Sequence, residues 1–297
     1  MNRLVLLPYL YMICGCLAFT FMGNFTYALG HFSAIGISLD WQIIAFFRAL
    51  LVFVFSFFVA MFFSVNPIVF GPKSLWLRSI AGSISLVCTF YAMTKLQLSL
   101  VLTVTNMFPL WVACLSWPML GKKPTILDWV AILMGLGGVA LIQKPHFNEN
   151  FLAIIAALIA SLATALAMIG LHKIKGIATQ AIVIHFSGLA TLICLFVLPF
   201  SPNLTSLVSD MNYTILLLLF GIGISATIGQ NFLTMAFSCG IPTKVSVVGL
   251  SQVVFAVIGD IIFWQKPLGL AEFIGMLLIL FPTAWLMTKT DPDPKVE

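Results

Sequence analysis

Ten apolar runs of roughly twenty residues each fill nearly the whole chain and leave no stretch long enough for a water-soluble domain. A helix needs ~20 mostly apolar residues to cross the hydrocarbon core of a bilayer. Hydrophobic residues make up 61% of the 297 and charged residues only 8%, against about 25% charged in soluble globular proteins. Mean hydropathy is +1.13. A water-facing surface cannot be built from this composition. The runs are continuously apolar rather than alternating in ten-residue units, which argues against a membrane β-barrel. The expected fold class is an all-α polytopic membrane protein with ten transmembrane helices.

The runs fall near residues 4–29, 42–63, 74–94, 98–119, 126–143, 151–171, 178–199, 213–237, 243–264 and 268–287. Turn dipeptides punctuate them: Asn66-Pro67, Gly71-Pro72, Lys123-Pro124, Lys144-Pro145, Ser201-Pro202 and Lys266-Pro267. Basic residues concentrate on the cytoplasmic side of membrane proteins. With a cytoplasmic N-terminus that side holds ten, namely Arg3, Lys73, Arg78, Lys122, Lys123, Lys173, Lys175, Lys244, Lys289 and Lys295. The outer side holds three, Lys95, Lys144 and Lys266. Both termini are therefore expected in the cytoplasm, and the net charge of +5 is a topology signal that calls for no nucleic-acid partner. The first run is too long for a secretory signal and lacks an Ala-x-Ala cleavage site. The cysteines, Cys14, Cys16, Cys88, Cys114, Cys194 and Cys239, all fall within runs and read as packing residues without metal spacing. Of the Asn-x-Thr triplets, Asn203 and Asn212 lie near an outer loop and Asn24 within a span.

Residues 90–138 and 234–282 align without a gap at an offset of 144, pairing Ala92 with Ala236, Val101 with Val245, Lys122 with Lys266 and Asp128 with Glu272. Each half then holds five spans. Five is odd, so the second copy crosses in the opposite direction, an inverted repeat of the kind common among secondary transporters. The expected units are 1–145, 146–288 and a cytoplasmic tail, 289–297. Further residues carry a family likeness: Phe90-Tyr91-Ala92-Met93, Leu98 through Pro109-Leu110, Gly121-Lys122-Lys123-Pro124-Thr125, Gly135 with Gly138, and Phe46-Phe47-Arg48-Ala49-Leu50. Together they resemble the EamA-type fold of the drug/metabolite transporter superfamily, across essentially the whole chain. Ala45 to Arg48 and Gln143-Lys144-Pro145-His146 are most similar to bacterial S-adenosylmethionine-uptake-like members. Such proteins often carry glutamate in the turn after the fourth and ninth spans, where this chain has Lys122 and Lys266, so no role of that glutamate transfers. The resemblance implies a transporter of small organic solutes in a bacterial inner membrane, with a cavity lined by the first, third, fourth, sixth, eighth and ninth spans.

Polar groups at membrane depth are costly and face a cavity or a partner. Arg48 in the second span and Asp260 in the ninth read as the two charges well inside. Asp260 is either a protonatable carboxylate coupling transport to protons or a structural or vestibule group. Arg48 either binds a substrate anion through its planar fork or anchors its helix. His185 in the seventh span is either titratable or a hydrogen-bonded packing residue. The uncharged set is richer. Asn24 and Thr26, Tyr91, Thr103, Thr105 and Asn106, Thr164, Gln230 and Asn231, and Ser251 and Gln252 all fall on spans expected around the cavity. Asn24, Tyr91, Asn106, Trp111, Gln230 and Gln252 are the candidate substrate contacts, with interhelical hydrogen bonding as the competing role. The other tryptophans, Trp41, Trp76, Trp117, Trp129, Trp264 and Trp285, sit near span ends as an interfacial belt. Pro109 would kink the fourth span, and Gly249 and Gly259 loosen the ninth.

The sequence thus points to a secondary transporter of a small polar metabolite, such as an amino acid, a nucleoside-like solute or S-adenosylmethionine, working by alternating access without a cofactor. No Gly-x-x-x-x-Gly-Lys-Ser/Thr loop is present to drive a pump. A charge-poor interior favours neutral or zwitterionic cargo over multiply charged phosphates. A channel would show charge rings or filter loops, and an intramembrane enzyme would need positioned acids, nucleophiles or metal ligands. Neither pattern appears. The alternative is a channel or a non-transporting membrane scaffold, and after these an intramembrane enzyme.

Overall fold

The computed structural model describes residues 3–33, 39–66, 70–96, 98–144, 150–202, 204, 212–265 and 267–288. Pro67, Pro145, His146, Asn203, Lys266 and the 289–297 tail with Lys289 and Lys295 lie outside the described residues. Among those described, twelve α-helices and one 3-10 turn occur and no strand. The first six are α1 (Arg3–Ser33), α2 (Trp41–Phe62), α3 (Lys73–Lys95), α4 (Leu98–Thr105), α5 (Phe108–Leu120) and α6 (Ile126–Gln143). The remainder are α7 (Phe151–His172), α8 (Thr179–Val197), α9 (Tyr213–Cys239), α10 (Pro242–Gly249), α11 (Ser251–Trp264) and α12 (Leu270–Thr288). The pairs α4–α5 and α10–α11 each make one broken span, so twelve helices give ten of membrane-crossing length.

The breaks have local causes. Pro109, at the second position of α5, has no N–H to give to the carbonyl of Thr105. Side chains hold the frayed end instead. Asn106 Nδ2 donates to the Leu102 carbonyl at 2.7 Å, and the Thr105 hydroxyl donates to that of Val101 at 2.8 Å. At the other break the Ser251 hydroxyl donates to the Val248 carbonyl at 2.6 Å, and the Cys16 thiol reaches from α1 to the Gly249 carbonyl at 3.4 Å.

The two halves repeat at the 144-residue offset in structure as well as in sequence. Helix α4 shifted by 144 is α10, α3 and α9 end at Lys95 and Cys239, and α5 and α11 end at Leu120 and Trp264. The next residues, Gly121 (φ 68°) and Gln265 (φ 52°), both take the left-handed conformation that stops a helix. Helices α6 and α12 then begin at matching positions, each with an acid in its first turn, Asp128 and Glu272. Asp128 completes a capping box: its N–H donates to Thr125 Oγ1 at 3.2 Å, and Thr125 N–H donates to its Oδ2 at 2.8 Å. The fold is two inverted five-span repeats. Helices α6 and α12 cross backbone to backbone at two glycines. A Cβ on Gly138 would lie 2.5 Å from the Gly275 carbonyl oxygen, and one on Gly275 would lie 2.7 Å from that of Gly138.

Packing differs between the two membrane faces. On the half nearer the N-terminus, one continuous apolar cluster joins Tyr9, Met12, Leu75, Leu171, Phe237 and Val245, from α1, α3, α7, α9 and α10. On the opposite half the core divides. Leu29 with Ile215 and Leu219 joins α1 to α9, flanked by α2, while Ala92, Val101 and Ala157 join α3, α4 and α7.

Candidate functional site

Arg78, two turns into α3, is 2% exposed. Its Nη2 donates to Gln230 Oε1 on α9 at 3.0 Å, and its guanidinium carbon lies 4.2 Å from the centre of the Phe186 ring on α8. Glycines make the space. A Cβ on Gly82, one turn further along α3, would collide with Arg78 Nη1 and lie 2.8 Å from the Phe186 ring. A Cβ on Gly170 of α7 would lie 3.1 Å from the Arg78 backbone nitrogen. Phe186 and Gln230 also line a narrow cleft of about 10 Å3 together with Arg48, Leu86 and Ser187, roughly the space of one water. The first repeat supplies both arginines and the second supplies Phe186, Ser187 and Gln230, so the site lies on the seam between them.

Neither arginine is ion-paired to a described carboxylate, and the Nε of each is buried without a hydrogen-bond acceptor. A charge inside a membrane helix is costly, by up to ~2.5–3.5 kcal/mol at the centre and less toward the ends on insertion scales. Arg78 offsets part of that through Gln230 and the Phe186 ring, since a desolvated cation over an aromatic face is worth about 2 kcal/mol. Its Nε–H is left buried without an acceptor.

The profile of the EamA-like transporter family matches residues 6–143 and again residues 148–288. The chain belongs to this family. The likeness reaches the drug/metabolite transporter superfamily, and the protein is a multi-pass membrane transporter. It is similar to the pseudopaline exporter CntI of Pseudomonas aeruginosa (strain UCBPP-PA14), 26% identical over 228 residues that cover 74% of this chain and 76% of the relative. An uncharacterized transporter of Helicobacter pylori (strain J99) is 26% identical, with 71% of this chain and 72% of the relative covered. A solved crystal structure superposes with a TM-score of 0.81 at 15% identity, covering 95% of this chain and 97% of the other, which shows the shared fold.

Within this EamA-like transporter, Arg48 and Gln230 are the sequence-selected residues that meet at the seam cleft. The sequence reading places Arg78 with the basic residues of the cytoplasmic side and leaves Arg48 and Asp260 as the charges inside. The burial of Arg78 corrects that reading. Five residues from the start of α3 at Lys73, at ~1.5 Å per residue, put it about 8 Å into a span, where α3 packs on α7 and α8 and its side chain turns inward. Lys244 was counted with the same group and is 8% exposed. It borders a cavity of about 300 Å3 with Lys122, Lys123, Asp128 and Thr243, between the ends of α5 and α10.

The other selected residues are dispersed. Asn24 accepts from Trp264 Nε1 at 2.8 Å and donates to the Thr20 carbonyl at 3.0 Å, tying α1 to the end of α11. Asn106 caps the α4 break. Tyr91 packs against the α3–α4–α7 cluster. Trp111 packs against the N-terminal-half cluster, with its indole N–H buried and unpartnered. Gln252 and Asp260 are half-buried on α11. His185 is a hydrogen-bonded packing residue: Ser79 Oγ lies 2.7 Å from its Nδ1 and Trp76 meets its ring edge-on at 4.7 Å. Among the described residues no cluster of three His, Cys, Asp or Glu could hold a metal ion. Arg78 was within reach of sequence reading, since the span boundary at residue 74 already enclosed it. Phe186 and Ser187 carried no sequence signal.

Proposed function

We propose that this protein is a secondary transporter that moves a small polar organic metabolite across a bacterial inner membrane by alternating access. The cargo class is an amino acid, a nucleoside-like solute or an S-adenosylmethionine-like solute. The observation that carries the reading is the placement of Arg48, Arg78 and Gln230 on the seam between two inverted repeats, where a rocking motion exposes a site first to one face and then to the other. The division of the core supports it. A bundle joined by one large cluster across α1, α3, α7, α9 and α10 on its N-terminal half and parted into smaller clusters on the other has the asymmetry of one end state of such a cycle. Half-buried Asp260 remains the candidate for proton coupling.

Counterflow in proteoliposomes tests the reading. Liposomes loaded with unlabelled solute should transiently accumulate the labelled solute from outside, saturably, for at least one member of a panel of amino acids, nucleosides and S-adenosylmethionine. Non-saturating equilibration without overshoot would instead identify a channel. An imposed proton gradient separates coupled from facilitated transport.

A further inference from the structure

The cavity of about 300 Å3 between the α5–α6 turn and the start of α10 has the volume of a small ligand pocket and plays no part in the seam site. Lys122 and Lys123 line it from the turn, and Lys244 lines it from the first turn of α10. Asp128 is the one carboxylate in the lining, and its Oδ2 already accepts the N–H and the hydroxyl of Thr125 at 2.8 and 2.9 Å. Three lysines against one aspartate give the lining a net charge of +2. Lys244 is the least expected of the three. It is buried, and a cation in the first turn of a helix opposes the helix dipole. The fold does not demand it. At the 144-residue offset its counterpart is Leu100, buried in an apolar cluster, and the counterpart of Lys123 is Pro267. The positions related by the repeat thus carry one lysine, Lys266, in place of three. Beside the cavity the surface is apolar. Lys123 Nζ lies 4.7 Å over the ring of Trp117, an exposed residue of α5, and Ile126, Leu127 and Val130 are exposed at the start of α6.

We propose that this cavity binds the phosphate of an anionic phospholipid headgroup from the leaflet on the N-terminal face. Basic pockets between membrane helices recognise such headgroups. Buried Lys244 is the inner cation, and exposed Lys122 and Lys123 are the outer pair. A soluble phosphate would meet the same three lysines and make no use of the apolar surface beside them. A lipid uses both, with its headgroup among the lysines and its acyl chains along Trp117 and the first turns of α6. The headgroup touches the α5–α6 turn of the first repeat and α10 of the second, so it ties the two repeats together on that face. The site requires no transport step and stands apart from the cargo.

The test uses the purified full-length protein in detergent. Phosphatidylglycerol and phosphatidylcholine with identical acyl chains are titrated, with glycerol 3-phosphate and inorganic phosphate alongside. Bound lipid is counted by native mass spectrometry, and thermal stabilisation is the second readout. Phosphatidylglycerol should bind more tightly than phosphatidylcholine, and Lys244→Gln should weaken it about fivefold, the contribution of one lysine near a membrane surface. The double variant Lys122→Gln, Lys123→Gln should weaken it further. Lys95→Gln, which removes an exposed lysine of the opposite face, should leave it unchanged. Equal affinity for the two lipids overturns the proposal, as does undiminished binding of phosphatidylglycerol to Lys244→Gln. A loss in Lys95→Gln as large as that in Lys244→Gln also overturns it, since general surface charge would then account for the binding. Glycerol 3-phosphate or inorganic phosphate binding as tightly as phosphatidylglycerol overturns the lipid as occupant and gives the cavity to a soluble phosphate. Should Lys244→Gln fail to purify as a single species, the double variant of the exposed pair decides, and unchanged binding there overturns the site.

Discussion

Gly82 decides whether Arg78 can lie where it does. Adding one methyl group there meets the guanidinium and the Phe186 ring together, and the ring is boxed in by neighbouring buried residues, Ala49 and Ala190. Overpacking of this kind costs typically ~1–3 kcal/mol. Gly82→Ala should therefore lower the melting temperature, because the guanidinium or the ring must give way. Gly23 has nothing within 4 Å of where its Cβ would lie, and Gly23→Ala in the same helical bundle should leave the melting temperature nearly unchanged. A second residue-scale test concerns Asn24, whose carbonyl oxygen is taken by Trp264. Trp264→Phe should cost about 0.6 kcal/mol, the average for hydrogen bonds between membrane helices, read as a small fall in thermal stability. With Asn24 a substrate contact, solute affinity shifts with it. Unchanged affinity would assign Asn24 to tying α1 and α11 alone. At this scale sequence reading was uneven for a physical reason. Arg48 and Gln230 were legible because a polar group inside an apolar run is conspicuous wherever it points. Phe186 and Ser187 look like every other residue of their run, and only the approach of α8 to α3 gives them a role.

Helices show the opposite balance, because their limits are set by local chemistry. Pro109 breaks the fourth span, the Thr125–Asp128 capping box starts α6, and left-handed residues at Gly121 and Gln265 close α5 and α11. Each cause sits within a few residues of its effect, so the 144-residue offset carries through to helix bounds. The ends of α6 and α12 are also joined: Lys144, at the C-cap of α6, pairs with Glu272 in the first turn of α12. What local chemistry leaves out is which helices touch. Gly135 and Gly138 were visible as a small-residue pair, but the partner of Gly138 is Gly275, far away in the chain. Backbone atoms of the two glycines face each other, and neither helix can yield as a side chain would. Gly138→Val should accordingly destabilise more than Gly137→Val, whose added Cβ meets nothing within 4 Å. The expected gap is on the order of 2 kcal/mol from overpacking, read by thermal unfolding in detergent. Equal effects would mean that α6 and α12 separate easily and that the crossing contributes little.

For the whole molecule, the asymmetry between the two membrane faces has a consequence that a single substitution can expose. Phe237 is fully buried in the cluster that seals the N-terminal half, among residues of α1, α7 and α10. Phe→Ala in a packed core costs ~3–5 kcal/mol. In an alternating cycle the opposite end state must open this seal, and there Phe237 has fewer neighbours to lose. Most of the cost then falls on the closed state alone. At 1.36 kcal/mol per tenfold change, as for a pKa unit, even half of it shifts the equilibrium by more than tenfold toward the state open on the N-terminal face. Ser246, fully buried on α10 within the same half, offers the reporter. A cysteine placed there, in a background with the native cysteines replaced, should react slowly with a membrane-impermeant thiol reagent applied to the N-terminal face. Adding Phe237→Ala should speed that reaction by an order of magnitude or more. A variant that is destabilised yet no more reactive would show that Phe237 packs equally in every state. The moving seam would then have to lie elsewhere than between α9 and the α1–α10 pair.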